Sequence, residues 1–297
     1  MEKLRIVFMG TPDFAAASLD ILVQNGYDIV GVITAPDKPA GRGKQIQQSA
    51  VKQYAVAHNL NVLQPEKLKD PEFLAELKAL NADLQIVVAF RMLPEVVWNM
   101  PPKGTFNLHG SLLPAYRGAA PINWAVMNGE TQTGVTTFFL QHEIDTGSII
   151  HQTTMPIGPD ESTGEVHDRM MALGAQLVLQ TVKDIEQGTV TATPQDMKGD
   201  YPHAPKIFRE DCKIDWSQPL DKVYNHIRGL SPYPAAWTEL DGKTLKIYKA
   251  KKEAANHNQP NGTLDTDGKT YLRFTVPGGY LHAEELQLEG KKRLAVK

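Results

Sequence analysis

In the first two hundred residues, short apolar runs alternate with stretches of helical periodicity, and few folds accommodate that pattern. An apolar run at 4–9 ends at Gly10-Thr11-Pro12-Asp13, after which Phe14, Leu19, Ile21 and Leu22 recur at helical spacing. Further strands are expected at 29–34, 61–63, 84–90, 134–140 and 148–152, and helices at 51–58, 71–80 and 164–186. Strands alternating with helices imply βαβ units and a mostly parallel sheet covered on both faces, an α/β fold. The run at 84–90 is the most apolar and is expected at the centre of the sheet.

The pattern changes after a polar, proline-containing stretch at 189–205, the expected domain boundary. Beyond it a helix is expected at 221–228, followed by strands at 236–240, 245–249, 272–275 and 281–288. Asp-Gly, Asn-Gly and Gly-Gly turns separate these strands, and Asp241-Gly242 is a hairpin signal. Several short strands at this spacing point to a small OB-like β-barrel. Charge divides at the same place: residues 1–205 hold 15 basic and 22 acidic side chains, residues 206–297 hold 16 and 12. A basic third on an acidic body fits contact with a polyanion, although surfaces of unrelated function differ by as much.

A chain of 297 residues suits one large domain or two ordinary ones. Its composition excludes collagen-like, disordered, coiled-coil and disulfide-scaffold classes. Cys212 is the single cysteine, so no intrachain disulfide can form and a reducing compartment fits. No apolar run reaches the length of a bilayer span, and Met1-Glu2-Lys3-Leu4-Arg5 lacks the features of a signal peptide. A soluble, cytoplasmic protein without membrane contact is expected.

The densest chemical cluster is Thr105-Phe106-Asn107-Leu108-His109-Gly110-Ser111-Leu112-Leu113-Pro114. If 105–109 is extended, Asn107 and His109 project from one face, because side chains alternate with period two. An amide beside an imidazole can hold a developing oxyanion; equally, the pair can be a turn-bonding Asn and a satisfied core His. Asp145, following the strand at 134–140, is expected to meet His109 at the carboxyl end of the sheet. A carboxylate there would fix the imidazole tautomer; the bland alternative is an Asp-Thr-Gly turn. His142, Glu143, Asp145 and His151 form no recognised ligand motif, so no metal is expected. Gly10-Thr11-Pro12 lacks the glycines of a dinucleotide fingerprint. The Pro- and Gly-rich loop at 34–49 carries Lys38, Arg42 and Lys44, which suit either phosphate contact or plain solvation.

Taken together, these segments resemble methionyl-tRNA formyltransferases. The likeness rests on Phe8-Met9-Gly10-Thr11-Pro12-Asp13-Phe14-Ala15, Pro39-Ala40-Gly41-Arg42-Gly43-Lys44, the Asn107–Pro114 segment, Tyr116-Arg117-Gly118-Ala119-Ala120-Pro121-Ile122 and Asp145-Thr146-Gly147. It continues in Lys213-Ile214-Asp215-Trp216 and Ile227-Arg228-Gly229-Leu230-Ser231-Pro232-Tyr233-Pro234.

The resemblance implies a Rossmann-like catalytic domain over 1–189, a linker over 190–205 and an OB-like tRNA-binding domain over 206–297. It implies formyl transfer from 10-formyltetrahydrofolate to methionine on initiator methionyl-tRNA by a monomer without metal. Asn107 and His109 would polarise the formyl oxygen, and Asp145 would orient His109 and relay protons. Ser111, Leu112, Leu113 and Pro114 would bind folate, and Phe90, Arg91, Met92 and Leu93 would line the pterin pocket. Lys38, Arg42 and Lys44 would meet the tRNA acceptor end. Arg91 stands near a position where the family usually has glycine, in a loop one residue shorter than usual, and Ala115 stands where a basic residue is common. A formyltransferase for a small amine, such as a nucleotide intermediate or an amino sugar, and a non-catalytic tRNA-binding relic are the alternatives.

Overall fold

The computed structural model describes residues 2–40, 43 and 45–296. By contact density the chain divides into two compact units. The first holds residues up to Arg117, Gly134–Thr154 and Arg169–Tyr201; the second holds Gly118–Thr133, Met155–Asp168 and the residues from Pro202 onward.

In chain order the elements up to the second unit's sheet are β1 (Arg5–Gly10), α1 (Asp13–Gln24), β2 (Asp28–Ile33), β3 (Lys38–Ala40), β4 (Gln45–Gln47), α2 (Ala50–Ala57), β5 (Val62–Leu63) and α3 (Pro71–Ala79). They continue with β6 (Leu84–Val88), α4 (Glu95–Trp98), β7 (Thr105–His109), α5 (Pro121–Met127), β8 (Gln132–Phe139), β9 (Ile149–Pro156), α6 (Thr163–Gln187) and α7 (Leu220–Leu230). Among the described residues seven strands form one Rossmann-like sheet, ordered β5-β2-β1-β6-β7-β8-β9. β6 lies at its centre with every residue buried, as its largely apolar run implies. Its one polar residue, Gln85, sets its side-chain amide 3.1 Å from the Thr105 hydroxyl, so the buried amide lies against a polar neighbour.

From β5 to β7 the pairing is parallel. β8 then reverses, pairing Phe106 with Phe139 and His109 with Thr136. The loop after β8 therefore leaves beside the start of β7, not beside His109. The expected meeting of Asp145 with His109 is found, at 3.9 Å, but not by a shared carboxyl end of parallel strands. The antiparallel β8 ends beside Phe106, and the loop that follows carries Asp145 back to the imidazole.

The loop expected at 34–49 contains a two-stranded antiparallel hairpin, β3–β4. Asp37 holds its base, accepting from Lys52 Nζ at 2.5 Å and Gln64 Nε2 at 2.8 Å. The hydrogen bond from Lys52, then that from Gln64, keeps the Asp37 carboxyl below the usual carboxylate range, against a smaller opposing effect of burial. Ser49 closes the other side: its hydroxyl meets Thr34 Oγ1 at 2.6 Å and accepts from Lys52 N, capping α2. Lys38 is exposed on β3; Arg42 and Lys44 lie outside the described residues.

In the second unit, β10 (Ala236–Leu240), β11 (Lys243–Ala254), β12 (Leu264–Thr266), β13 (Leu272–Val276), β14 (Gly279–Leu288) and β15 (Leu294–Ala295) form an antiparallel half-barrel. Its order is β10-β11-β14-β13-β12, with β15 paired to β14, an OB-like sheet. The turn between β10 and β11 is Asp241-Gly242 with both φ values positive, 50° and 74°, the conformation that matches strand twist in a two-residue hairpin. α7 buries Val223, Tyr224, Ile227 and Leu230 against a core that includes Ile247, Phe274 and Leu281. Residues from earlier in the chain complete this unit. Asn123 Nδ2 and Thr163 Oγ1 both donate to Gly229 O, at 2.9 and 2.7 Å. The buried Arg228 donates to Glu161 O at 2.9 Å and to Asn225 Oδ1 at 2.8 Å.

Candidate active site

The site is built on β7. Thr105, Asn107 and His109 share one face of the strand, and the wholly apolar Phe106 and Leu108 share the other. Phe106 and Leu108 are 0% and 3% exposed, so packing fixes the strand's rotation. Thr105 Oγ1 donates to Trp98 O at 2.7 Å, anchoring the near end. Asn107 is half-buried, in register with Val87 and Phe138 on the flanking strands, and His109 is buried.

His109 stands between two oxygens. Its Nε2 lies 2.8 Å from Tyr116 O, and a carbonyl can only accept, so Nε2 carries a proton. Its Nδ1 faces Asp145 Oδ2 at 3.9 Å, within ion-pair reach but longer than a direct hydrogen bond. Both side chains are mostly enclosed, 8% and 12% exposed, so their interaction is weakly screened. Nδ1 is thus the ring nitrogen at which a proton can come and go.

Both partners of the imidazole come from strained backbone: Tyr116 has φ 60° and Asp145 φ 56°. The left-handed region costs a non-glycine residue about 1–2 kcal/mol, so other contacts must impose it. For Asp145 the turn is locked by Gly147, where a Cβ would lie 1.6 Å from Phe139 O. Thr146 Oγ1 also donates to Glu143 O at 2.9 Å within the turn.

Gln195, from the stretch expected to be a linker, is buried and donates through Nε2 to the carbonyls of Asp145 and Gly147, each at 2.8 Å. Its Oε1 accepts from Arg117 Nη2 at 2.8 Å and Nε at 3.2 Å. Sequence reasoning passed over both residues. A single glutamine in a polar, proline-containing segment carries no signal of burial, and Arg117 was read only as part of a longer motif.

The segments expected to bind folate leave the sheet together, because Val88 and Leu108 are paired near the ends of β6 and β7. Ser111 is fully buried, with Oγ donated to Ala115 O at 2.7 Å. Thr136 Oγ1 donates to Ser111 O at 2.7 Å, and Gln152 Nε2 donates to Leu113 O at 2.7 Å. Leu113 is buried, whereas Leu112 and Pro114 are half-buried. In the preceding segment Leu93 packs in the core with Val97, Phe90 is half-buried against that core, and Met92 is 72% exposed. The Arg91 guanidinium donates to Pro65 O and Glu66 O at 2.7 and 2.9 Å, so it ties this segment to the 65–66 turn.

Other titratable groups are engaged elsewhere. His151 meets Asp184 at 2.5 Å and His142 faces Glu95 at 3.6 Å. Among the described residues no group of three His, Cys, Asp or Glu side chains could hold a metal ion. Cys212 is buried, its thiol pushed up chiefly by that burial, and it donates to Phe208 O at 3.4 Å. No described helix is long and apolar enough to cross a membrane.

The family described as Formyl transferase matches residues 4–182, and Formyl transferase, C-terminal domain, matches residues 206–297. A methionyl-tRNA formyltransferase of Parabacteroides distasonis is 61% identical over 305 residues, spanning 99% of this chain and 94% of the relative. One from Bacteroides fragilis is 59% identical over 301 residues, spanning 99% and 93%. Among solved structures, the N-formyltransferase of Helicobacter canadensis in complex with folinic acid and dTDP-3-aminofucose superposes with a TM-score of 0.68. It is 20% identical, with 94% of this chain and 98% of that chain covered.

Proposed function

The chain belongs to the formyl transferase family, among the methionyl-tRNA formyltransferases, and from that premise we propose how its residues divide the work. It transfers the formyl group of 10-formyltetrahydrofolate to the amino group of methionine on initiator methionyl-tRNA. The observation that carries the reading is a near-full-length likeness to named enzymes, within which His109 is held between a carbonyl and a carboxylate.

In this reading Asn107 donates from Nδ2 to the formyl oxygen as negative charge develops there. His109, charged when Nδ1 also holds a proton, supplies positive charge from the same face of β7. Asp145 takes up the proton that the attacking amine must lose. The bond from the formyl carbon to N10 of the folate then breaks, and N10 leaves as the amine of tetrahydrofolate with a proton returned from the Asp145–His109 pair. The Tyr116 carbonyl keeps the ring from rotating through these steps. Backbone groups at 88–94, together with Leu112 and Pro114, bind the folate, while Ser111, Leu113, Leu93 and Arg91 hold the walls in place from behind.

Residues 1–189 form the catalytic domain, 190–205 connect, and the basic residues 206–297 grip the tRNA backbone. Lys38 on the β3–β4 hairpin, with the cations Arg42 and Lys44 of the same sequence stretch, meets the acceptor end. The enzyme works in the cytoplasm, where its aminoacyl substrate is made and used. A small-amine substrate is not favoured, because the sugar-directed structure is far less similar than the tRNA-directed relatives.

The test is incubation with labelled 10-formyltetrahydrofolate and charged initiator tRNA. Labelled formyl-methionyl-tRNA is the expected product. Comparable transfer to nucleotide or sugar amines would overturn the substrate assignment, and tRNA binding without transfer would overturn the enzyme reading.

A further inference from the structure

The two oxygens that bracket His109 are joined to each other through side chains. Tyr116 O holds Nε2, and Tyr116 is followed in the chain by Arg117. Arg117 donates twice to Gln195 Oε1, and Gln195 Nε2 donates to Asp145 O and Gly147 O. Asp145 Oδ2 then faces His109 Nδ1, which closes the circuit.

Each link does something the backbone alone would not. At φ 60° and 56°, Tyr116 and Asp145 occupy conformations a non-glycine residue leaves unless it is held. A primary amide has two donors and one acceptor oxygen. Here both bonds donated by Gln195 go to carbonyls of the Asp145 turn, and its acceptor goes to Arg117. The guanidinium polarises the amide through that oxygen and so strengthens the bonds given by its nitrogen. Gln195 is 8% exposed, which is a costly place for an amide unless every polar atom is used. The segment around it is itself pinned to the same unit, since Thr193 and Ile149 exchange two backbone bonds of 2.8 Å.

We propose that Gln195, oriented by Arg117, is a positioning residue for Asp145, holding the turn that aims the carboxylate at His109. This rests on the assignment of His109 and Asp145 to the transfer chemistry. Gln195 does not touch the reacting atoms; its effect passes entirely through the turn. Part of the connecting segment therefore belongs to the catalytic machinery.

Gln195→Glu separates holding from aiming. The carboxylate keeps its partner Arg117 but only accepts, so it sets oxygens against the carbonyls of Asp145 and Gly147. Single-turnover formyl transfer at saturating folate and tRNA is expected to fall about tenfold to a hundredfold, the scale of a misplaced catalytic group. KM for tRNA and the dissociation constant for tetrahydrofolate should stay within about twofold, because only the transition-state step loses support. In an Asp145→Asn background the same replacement should change the rate by less than about twofold, since residues acting through one group are non-additive. Arg117→Lys, which loses the fork but keeps the charge, should give a smaller loss of the same kind; it carries the test if Gln195→Glu fails to fold.

Multiplying losses in the two backgrounds, or a full rate for both Gln195→Glu and Arg117→Lys while Asp145→Asn is slow, would overturn the positioning role and leave the chemistry standing. A full rate for Asp145→Asn itself would overturn the chemistry and the positioning role with it.

Discussion

The Tyr116 carbonyl accepts the Nε2 proton of His109 at 2.8 Å, so the imidazole presents Nδ1 to Asp145. The ring's tautomer is thereby set by main chain. Nitrogen-15 spectra of the enzyme with labelled histidine should show the His109 proton on Nε2. A signal with Nδ1 protonated and Nε2 bare would contradict the arrangement.

Asn107→Ala and His109→Ala should each slow the chemical step by roughly a hundredfold or more, the scale for losing an oxyanion donor. Folate and tRNA binding should be nearly unchanged. Single-turnover rates near those of the parent enzyme would remove either residue from the mechanism.

Gly147→Ala should cripple the enzyme without disturbing either substrate's binding surface. Its Cβ would sit 1.6 Å from Phe139 O, and backbone cannot yield as a flexible side chain does. Overpacking of this kind costs typically 1–3 kcal/mol, and relief would move the neighbouring Asp145. Thermal unfolding and single-turnover kinetics should both show the loss; full activity at Gly147→Ala would mean that the turn is softer than its geometry states.

Asp37→Asn should loosen the base of the β3–β4 hairpin and raise KM for tRNA severalfold, leaving tetrahydrofolate binding intact. The carboxyl is depressed in the folded protein, chiefly by the Lys52 hydrogen bond. Its contribution is therefore present above the ordinary carboxylate range near about 4 and is lost as pH falls through the lower folded value. Denaturation measured against pH should show Asp37→Asn and the parent enzyme converging in acid and diverging toward neutrality. A constant difference across that range would sink the assignment.

Binding of charged tRNA should weaken steeply with salt if several phosphates are gripped, with a slope of about −0.7 to −0.9 per phosphate on logarithmic axes. Fluorescence titration at several ionic strengths reads this directly, and a flat dependence would discredit the basic C-terminal residues as the grip.

What the sequence disclosed follows from which interactions are local. The parallel strands announce themselves because burial on both faces demands nearly continuous apolar runs, as in β6, where Gln85 alone is polar. Asn107 and His109 were legible because alternation along a strand depends on nothing distant. The reversal of β8 was not, since an apolar run reads alike in either direction. β3 and β4 hide in a Pro- and Gly-rich stretch, where three-residue strands have too few positions for periodicity to register. Gln195 depends on groups 48 and 50 residues away in the chain, beyond any local pattern.

The bond from His109 to Tyr116 has a practical corollary for anyone mapping this enzyme by mutation. The group that holds the imidazole is a peptide oxygen, present whatever amino acid occupies position 116. A survey that replaces side chains one by one will be blind to it, and silence at that position will say nothing about its importance. Replacing Arg117 by its α-hydroxy acid analogue would turn the preceding carbonyl into the weaker acceptor of an ester. Such backbone editing, outside the reach of the genetic code, is the experiment that can weigh this contact.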